Sequence, residues 1–489
     1  MTEQMKLMKA MHSLNPHNTM KRMIQALLPV VLLTSCHTIG PNYVGAPALD
    51  HQLSFAGAST AAPKLDHWWK SLKNRQLNQF VDKALTQNFD LRIAQERLIQ
   101  SRAARRQVAS AFLPQVSATS GYSNVGLNEN TADASSQDTK IDAGSSNIDQ
   151  WDVGADVRWE IDVFGGGRRQ TESAQAGVDL TQERVHAARL ATAAEVTDAF
   201  YTITGFREQI ATIDENIRLQ AETLDVVRQR ADAGLSSRLD VQRATAQLES
   251  TRAAKPTLEA GLTGQLRRLT LLLGEEPTAL DGLVTHWSGF PSSLPAVFTG
   301  LPAQLLTRRP DLRQAERFLA VATADIGVAT ANFYPRFYLL GQPQMISANT
   351  ANLFDTTSFA WQFAPRIEWS IFSSGRNRAL LDSATSRQRE AMLAFEKAVL
   401  EAIGEVESSL AQLQAEQRRF TSIANAVSAS RDAVGLAQQL NQAGRTNLID
   451  SLVEEQRLNV LTLDQVRSQT SLTLAWVRLH QALGGGWQI

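Results

Sequence analysis

The residue types that usually carry chemistry are present here without the spacing that chemistry needs. The eight histidines, His12, His17, His37, His51, His67, His186, His286 and His480, are scattered along the chain. No HExxH pair and no Cys-His set at metal-ligand spacing occurs. No G-x-S-x-G nucleophile turn occurs either. Gly165-Gly166-Gly167-Arg168 is glycine-rich, but no Lys-Ser/Thr follows it, so it reads as a strand-to-helix turn rather than a phosphate loop. Paired carboxylates occur only as ordinary helix-surface charge. No enzyme, cofactor or metal site is expected. A net charge of −1 and the lack of basic patches interleaved with aromatics speak against nucleic acid.

The one cysteine, Cys36, excludes an internal disulfide. It follows Met20-Lys21-Arg22, an apolar run from Ala26 to Leu33, and Thr34-Ser35. That order is a charged n-region, a short h-region and small residues before a cleavage point. The apolar run is too short to span a bilayer as a helix. Leu33-Thr34-Ser35-Cys36 resembles the bacterial lipoprotein box, in which cysteine becomes the lipidated first residue. Diacylglycerol and an N-acyl chain on Cys36 are therefore expected, with residues 1–35 removed. Residues 1–19 are polar for a signal start, which leaves Met20 as the alternative initiator.

The surrounding chain is written twice. Asp90-Leu91-Arg92 returns 221 residues later as Asp311-Leu312-Arg313, as do Phe112 and Pro114 as Phe333 and Pro335. Arg158, Glu160, Gly167 and Arg168 match Arg366, Glu368, Gly375 and Arg376 at a spacing of 208. Ala233-Gly234, Asp240 and Leu273-Gly274 return at 210. A period this long marks a duplicated half-molecule, not a solenoid repeat. Each half reads helix, strand, strand, helix, turn, helix. The strands are expected at about 115–123, 151–163, 336–346 and 359–371, separated by the polar loops 124–150 and 347–358. From Trp151 to Val163 the odd positions are apolar and the even positions mostly charged, a period of two.

Very long helices follow. Ile203, Phe206, Ile210, Ile213, Ile217, Gln220, Leu224 and Val227 step by three and four, as do Val399, Ile403, Val406, Leu410 and Leu413. This is coiled-coil spacing, over helices roughly 100 Å long at 1.5 Å per residue. Each return helix is about half as long, and the helix before the first strand supplies the missing length by stacking end to end with it. The expected organisation is a signal peptide at 1–35, a lipidated segment at 36–76, a first repeat at 77–275 with its hairpin tip near 234–238, a linker at 276–297, a second repeat at 298–485 with its tip near 444–448, and a tail at 486–489.

Four strands per chain cannot close a barrel, and lipid does not tolerate open strand edges. A spanning structure therefore needs several chains, with charged faces lining water and apolar faces meeting lipid. The alternation alone equally fits a soluble sheet. The alternative architecture is a lipid-anchored periplasmic coiled-coil adaptor or scaffold without a pore, for which the paired amphipathic strands have no use.

The duplicated halves, the strand pairs bounded by Pro and Gly-Arg, and the Ala-Gly-x5-Asp hairpins resemble TolC-type outer-membrane efflux channels. The opening Cys36 to Val44, with Gly40-Pro41-Asn42-Tyr43, and Trp68-Trp69-Lys70-Ser71-Leu72 are similar to the lipoprotein branch that includes OprM- and NodT-like proteins. The resemblance covers nearly all of residues 36–489. It implies a mainly α fold with β: a homotrimer whose twelve strands form one outer-membrane barrel above a periplasmic α-helical barrel. It implies docking to a periplasmic adaptor and an inner-membrane pump that supplies the energy.

In that family, acidic residues near the second hairpin tip constrict the periplasmic entrance. Asp450 falls at one such position, and the second falls at Val453, next to Glu454. Asp240 is its counterpart in the first half. Ser237-x-x-Asp240 and Asn447-x-x-Asp450 also have the form of capping boxes, and the two roles are compatible. Arg158, Glu160, Arg366 and Glu368 share one strand face, as lumen ion pairs across strands or as solvated charge. Trp151, Trp159, Trp361 and Trp369 suit interfacial girdles.

Overall fold

The computed structural model describes residues 38–45, 65–126, 147–296, 308–443, 445–446 and 448–487. Eleven longer elements run in the order α1 (Arg75–Gln87), α2 (Phe89–Ser110), β1 (Gln115–Gly126), β2 (Asn147–Ile161), α3 (Gly166–Asp232), α4 (Arg238–Leu272), α5 (Pro310–Ala331), β3 (Arg336–Ser347), β4 (Phe359–Glu368), α6 (Arg376–Gln442) and α7 (Leu448–Ala482). The strands reach further into the first polar loop than the sequence pattern suggested, and β4 stops before Trp369. Cys36, Gly444 and Asn447 lie outside the described residues.

The chain divides into two compact units. The first holds the sheet, the ends of the helices next to it, and residues 38–45. Its four strands pair antiparallel in the order β1-β2-β3-β4. The β2–β3 pairing, with Ile161 opposite Phe337 and Trp151 opposite Ser347, joins the two repeats within one chain. β1 and β4 are the edges, and each has one side without a strand partner among the described residues.

The register corrects the spacing read from sequence. Gln115 pairs with Arg158, and Arg336 pairs with Glu368. Gln115 and Arg336 open equivalent strands, so the counterpart of Arg158 is Glu368, 210 residues on, and not Arg366. The same spacing of 210 matches Trp151 to Trp361, Trp159 to Trp369, and the left-handed turn residue Gly165 (φ 81°) to Gly375 (φ 85°). The Gly-Arg dipeptides at 167–168 and 375–376 matched two residues out of step. What is equivalent is the backbone turn, which needs a residue tolerant of positive φ. The two repeats thus share one spacing from the second strand onward, and the change from 221 falls wholly in the loop between paired strands.

The second unit is built on the coiled-coil stripes. Ile203, Ile213, Gln220, Leu224 and Val227 of α3 are buried, and Leu224 packs with Ala244 and Leu248 of α4. The main cluster gathers Trp68, Trp69 and Leu72, the α1 face Leu77, Phe80, Val81 and Ala84, the α3 segment Ala193–Ile203, and Trp476 and Val477 of α7. Trp68 meets Trp476 edge to face at 5.6 Å and lies 5.4 Å from His480. His480 donates Nδ1–H to the Trp476 carbonyl at 2.9 Å, and burial pushes its pKa down to about 4. The imidazole is therefore neutral in the folded core.

End-to-end stacking is made by one repeated bond. Asn88 donates Nδ2–H to the Leu272 carbonyl at 3.0 Å, tying the start of α2 to the end of α4. Its counterpart Arg309 donates Nη1–H to the Ala482 carbonyl at 2.6 Å, tying the start of α5 to the end of α7. Gly274 and Gly484 close those helices at φ 68° and 74°. A Cβ at Gly274 would lie 2.7 Å from the Gln87 carbonyl, and one at Gly484 would lie 3.0 Å from the Arg309 Cα. Position and backbone conformation both require glycine there.

Replacing Trp476, which is 1% exposed, should show how much the aromatic cluster carries. Trp476→Ala is expected to cost about 3–5 kcal/mol, read as a lowered denaturation temperature of the detergent-solubilised protein.

Candidate functional site

Because paired residues share a face, the register sorts the sheet into two surfaces. One carries Ser117, Thr119, Asp152, Asp156, Arg158, Glu160, Arg336, Gln342, Gln344, Gln362, Arg366 and Glu368. The other carries Val116, Val153, Val157, Trp159, Phe337, Leu339, Trp361, Phe363 and Ile367. On this apolar face Trp361, Phe363 and Ile367 are 71%, 61% and 65% exposed, far more than a soluble sheet leaves uncovered.

The tryptophans hold fixed heights on that face. Trp159 donates Nε1–H to the Phe112 carbonyl at 3.0 Å, and Trp369 does the same to the Phe333 carbonyl at 3.0 Å. These are equivalent bonds at the foot of each strand pair. Trp151 and Trp361 lie eight residues further along the strands, about 26 Å at 3.3 Å per residue. That span is of the order of the roughly 25 Å apolar band of outer-membrane barrels.

Among the described residues, the contacts of these polar-face charges run along and across the strands: Arg366 and Glu368 lie on one strand, and Arg158 meets a ring on the next. Arg366 pairs with Glu368 along its own strand, Nη2 to Oε1 at 3.0 Å. The Arg158 guanidinium instead sits 5.0 Å from the Tyr338 ring, a cation–π contact. Tyr338, 6% exposed, stands between Glu160 and Arg366 in the register. Sequence reasoning missed this tyrosine, because β3 alternates less cleanly and carries Leu340 and Ile346 on its polar face.

The hairpin tip of the first repeat is closed by local bonds. α3 ends at left-handed Gly234 (φ 74°), where Leu235 N–H reaches back to the Arg230 carbonyl at 2.8 Å. Ser237 caps α4 by accepting from Asp240 N–H at 3.2 Å. Asp240 accepts in return from Ser237 N–H at 3.1 Å, from the Ser237 hydroxyl at 2.7 Å and from the Ser236 hydroxyl at 3.2 Å. These bonds, the Ser237 hydroxyl first, hold the Asp240 carboxyl below the usual carboxylate range. Asp450, its counterpart in the first turn of α7, is exposed. The ends of α3 and α6 touch through Arg230 Nη1 and Asn441 Oδ1 at 3.4 Å.

Among the described residues no group of His, Cys, Asp and Glu is placed to hold a metal, and no helix is long and apolar enough to cross a membrane. An amphipathic four-stranded sheet, joined to helical hairpins whose stripes pack on one another, defines a channel-forming class of outer-membrane protein. The model of the family described as "Outer membrane efflux protein" matches residues 80–275 and 301–485. The chain is 30% identical over 476 residues to the outer membrane protein OprJ of Pseudomonas aeruginosa, covering 95% of this chain and 96% of that protein. It is 27% identical over 460 residues to nodulation protein T of Rhizobium leguminosarum bv. trifolii, covering 94% and 96%. Among solved structures, the outer-membrane channel OprN superposes with a TM-score of 0.81 at 31% identity, over 92% of this chain and 99% of that one.

The chain belongs to the outer membrane efflux protein family. It is a TolC-type channel, the outer-membrane component of an efflux system with its helical part in the periplasm, and it is not an enzyme.

The first tip should loosen when its cap is removed. Ser237→Ala is expected to destabilise the tip by about 1 kcal/mol, read as faster amide exchange over the first turn of α4. The Asp240 pKa is depressed on folding, so its contribution is full above about pH 4. It should be lost as the pH falls through the lower folded value, read as a drop at the tip in protection relative to the intrinsic exchange rate at each pH.

Proposed function

We propose that three copies of this chain close a twelve-stranded barrel, in which β1 of one copy pairs with β4 of the next. The observation that carries this reading is the sheet itself: four strands, two open edges and one apolar face. A sheet in lipid must pair every edge amide and carbonyl. Closure also turns the polar face toward a water-filled lumen, where Arg158, Glu160, Arg366 and Glu368 serve as solvated lining charge. Such a lining discriminates little among solutes, so substrate choice belongs to the pump.

The same reading gives the helical part its partners, a periplasmic adaptor and an inner-membrane pump, with drugs or other small molecules passing to the exterior in one passage. Cys36 carries diacylglycerol and an N-acyl chain and anchors the mature chain to the outer membrane. Asp450, exposed in the first turn of α7, and its counterpart Asp240 are the residues that narrow the periplasmic entrance.

Two measurements test these points. One cysteine placed in β1 and one in β4 on the same sheet face, with Cys36 kept as the lipidated residue and no other native thiol, should oxidise to covalent dimers and trimers that resist heating in detergent. A chain that stays monomeric at every β1–β4 position would sink the barrel. Asp450→Ala should raise single-channel conductance or cation permeability, whereas unchanged conductance and ion selectivity would remove Asp450 from the entrance.

A further inference from the structure

Residues 38–45 are not a loose leader to the first unit. They are seated in it by one buried cation. Arg169, in the first turn of α3, is 2% exposed. Its Nε donates to the Ile39 carbonyl at 2.9 Å, and Nη2 donates to the Gly40 carbonyl at 3.1 Å and to Asn42 Oδ1 at 2.6 Å. Nη1 reaches Glu172 Oε2 at 2.7 Å. Four donor contacts leave little of the guanidinium unpaired, which is the condition for burying such a charge.

The seat is also shaped for this segment. Gly40 has φ 85°, and a Cβ there would lie 2.5 Å from the Gly327 Cα. A Cβ on Gly327 would in turn lie 2.6 Å from Arg169 Cγ. Thr38 rests on the turn before α3, since a Cβ on Gly165 would lie 3.0 Å from the Thr38 Cα. Ile39 N–H bonds the Phe164 carbonyl at 3.3 Å, and Tyr43 packs against the cluster of Leu319, Ala322 and Ala391.

The duplication supplies an internal control. At the equivalent positions Arg169 is replaced by Ala379, and Gly327 by Arg106. The second repeat thus has no guanidinium where the first has one, and the first has a long cation where the second has the glycine of the seat. The residues that make this seat therefore occur together in one place, Arg169 from the first repeat and Gly327 from the second.

We propose that Arg169 is a clamp that docks residues 38–45 as a strap and thereby fixes the membrane anchor at the foot of the strands. The second half rests on the reading of Cys36 as the lipidated residue. Two residues of chain reach at most about 7 Å, so Cys36 cannot stray further than that from Thr38. Thr38 itself packs at Gly165, four residues after β2 ends. The lipid is then held beside the barrel foot by the fold, not carried on a free tether.

Hydrogen exchange on the full-length protein in detergent tests the clamp. Overlapping peptides that resolve the Ile39 amide, whose N–H bonds the Phe164 carbonyl, should show it protected in the wild type, and Arg169→Ala should raise its exchange by at least about tenfold through local opening, with the strands still protected. Gly40→Val attacks the seat from the strap side with Arg169 in place and should give the same local loss. Protection of the Ile39 amide that survives both substitutions, or that is already missing in the wild type, overturns the clamp. The intact mass of the N-terminal peptide from the same samples reads the anchor separately. An unacylated Cys36 above a protected strap overturns the anchoring half alone.

Discussion

A backbone amide placed in hydrocarbon has no water to turn to, and the organisation of this chain follows from that constraint. Four strands satisfy each other internally along three seams and leave β1 and β4 each with a bare side. No rearrangement within the chain supplies more strands among the described residues, since everything else long enough is helical. In the proposed barrel the sheet finishes its hydrogen bonding against other copies. The amphipathic division of its faces and the two tryptophans bonded at the foot of each strand pair are what such a ring requires of each copy.

The helical part answers a different constraint, length. A helix of 67 residues needs a partner along its whole side, and the return helix of 35 covers about half. The remainder comes from the helix before the strands, butted against the return helix by Asn88 in one repeat and Arg309 in the other. The two repeats use different side chains for one task, a carboxamide and a guanidinium each donating to the last carbonyls of a helix. Arg309 does more than Asn88, since it also pairs with Asp311 and Glu405. Glycines at the two junctions keep the stacked ends close, and the neutral His480 and its tryptophans fill the core on which the hairpins sit.

Much of this was legible because it is periodic. The strand alternation from Trp151 to Val163 and the coiled-coil stripes of α3 and α6 come from side-chain repeats that any reader of the chain can count. A helix end was legible where glycine takes positive φ, as at Gly234 beside the expected hairpin tip. What was not legible is what depends on pairing. The Gly-Arg dipeptides suggested a spacing of 208, and only the strand register shows that Arg158 answers to Glu368. The contact of Arg158 with Tyr338 joins residues 180 positions apart on a strand whose alternation is blurred. Arg169 was invisible for a similar reason: two of its four partners are backbone carbonyls, which carry no sequence signature, and Asn42 lies 127 residues away.

The pairing of β2 with β3 has a consequence for how such a ring can evolve. In the proposed twelve-stranded ring, a single repeat, one strand pair with its hairpin, would have to assemble six at a time, and every joint would be intermolecular. Fusing two repeats makes alternate joints part of one polypeptide, where they form at the high effective concentration of a tethered pair. It also relaxes the symmetry. In a sixfold ring every copy must tolerate every substitution, whereas in a ring of fused pairs one copy can specialise while its sister does not. Arginine at 169 against alanine at 379, and serine at 237 against asparagine at 447, are products of that freedom. The fused chain can bear one strap and two unlike tips, which a ring of identical single repeats could never encode.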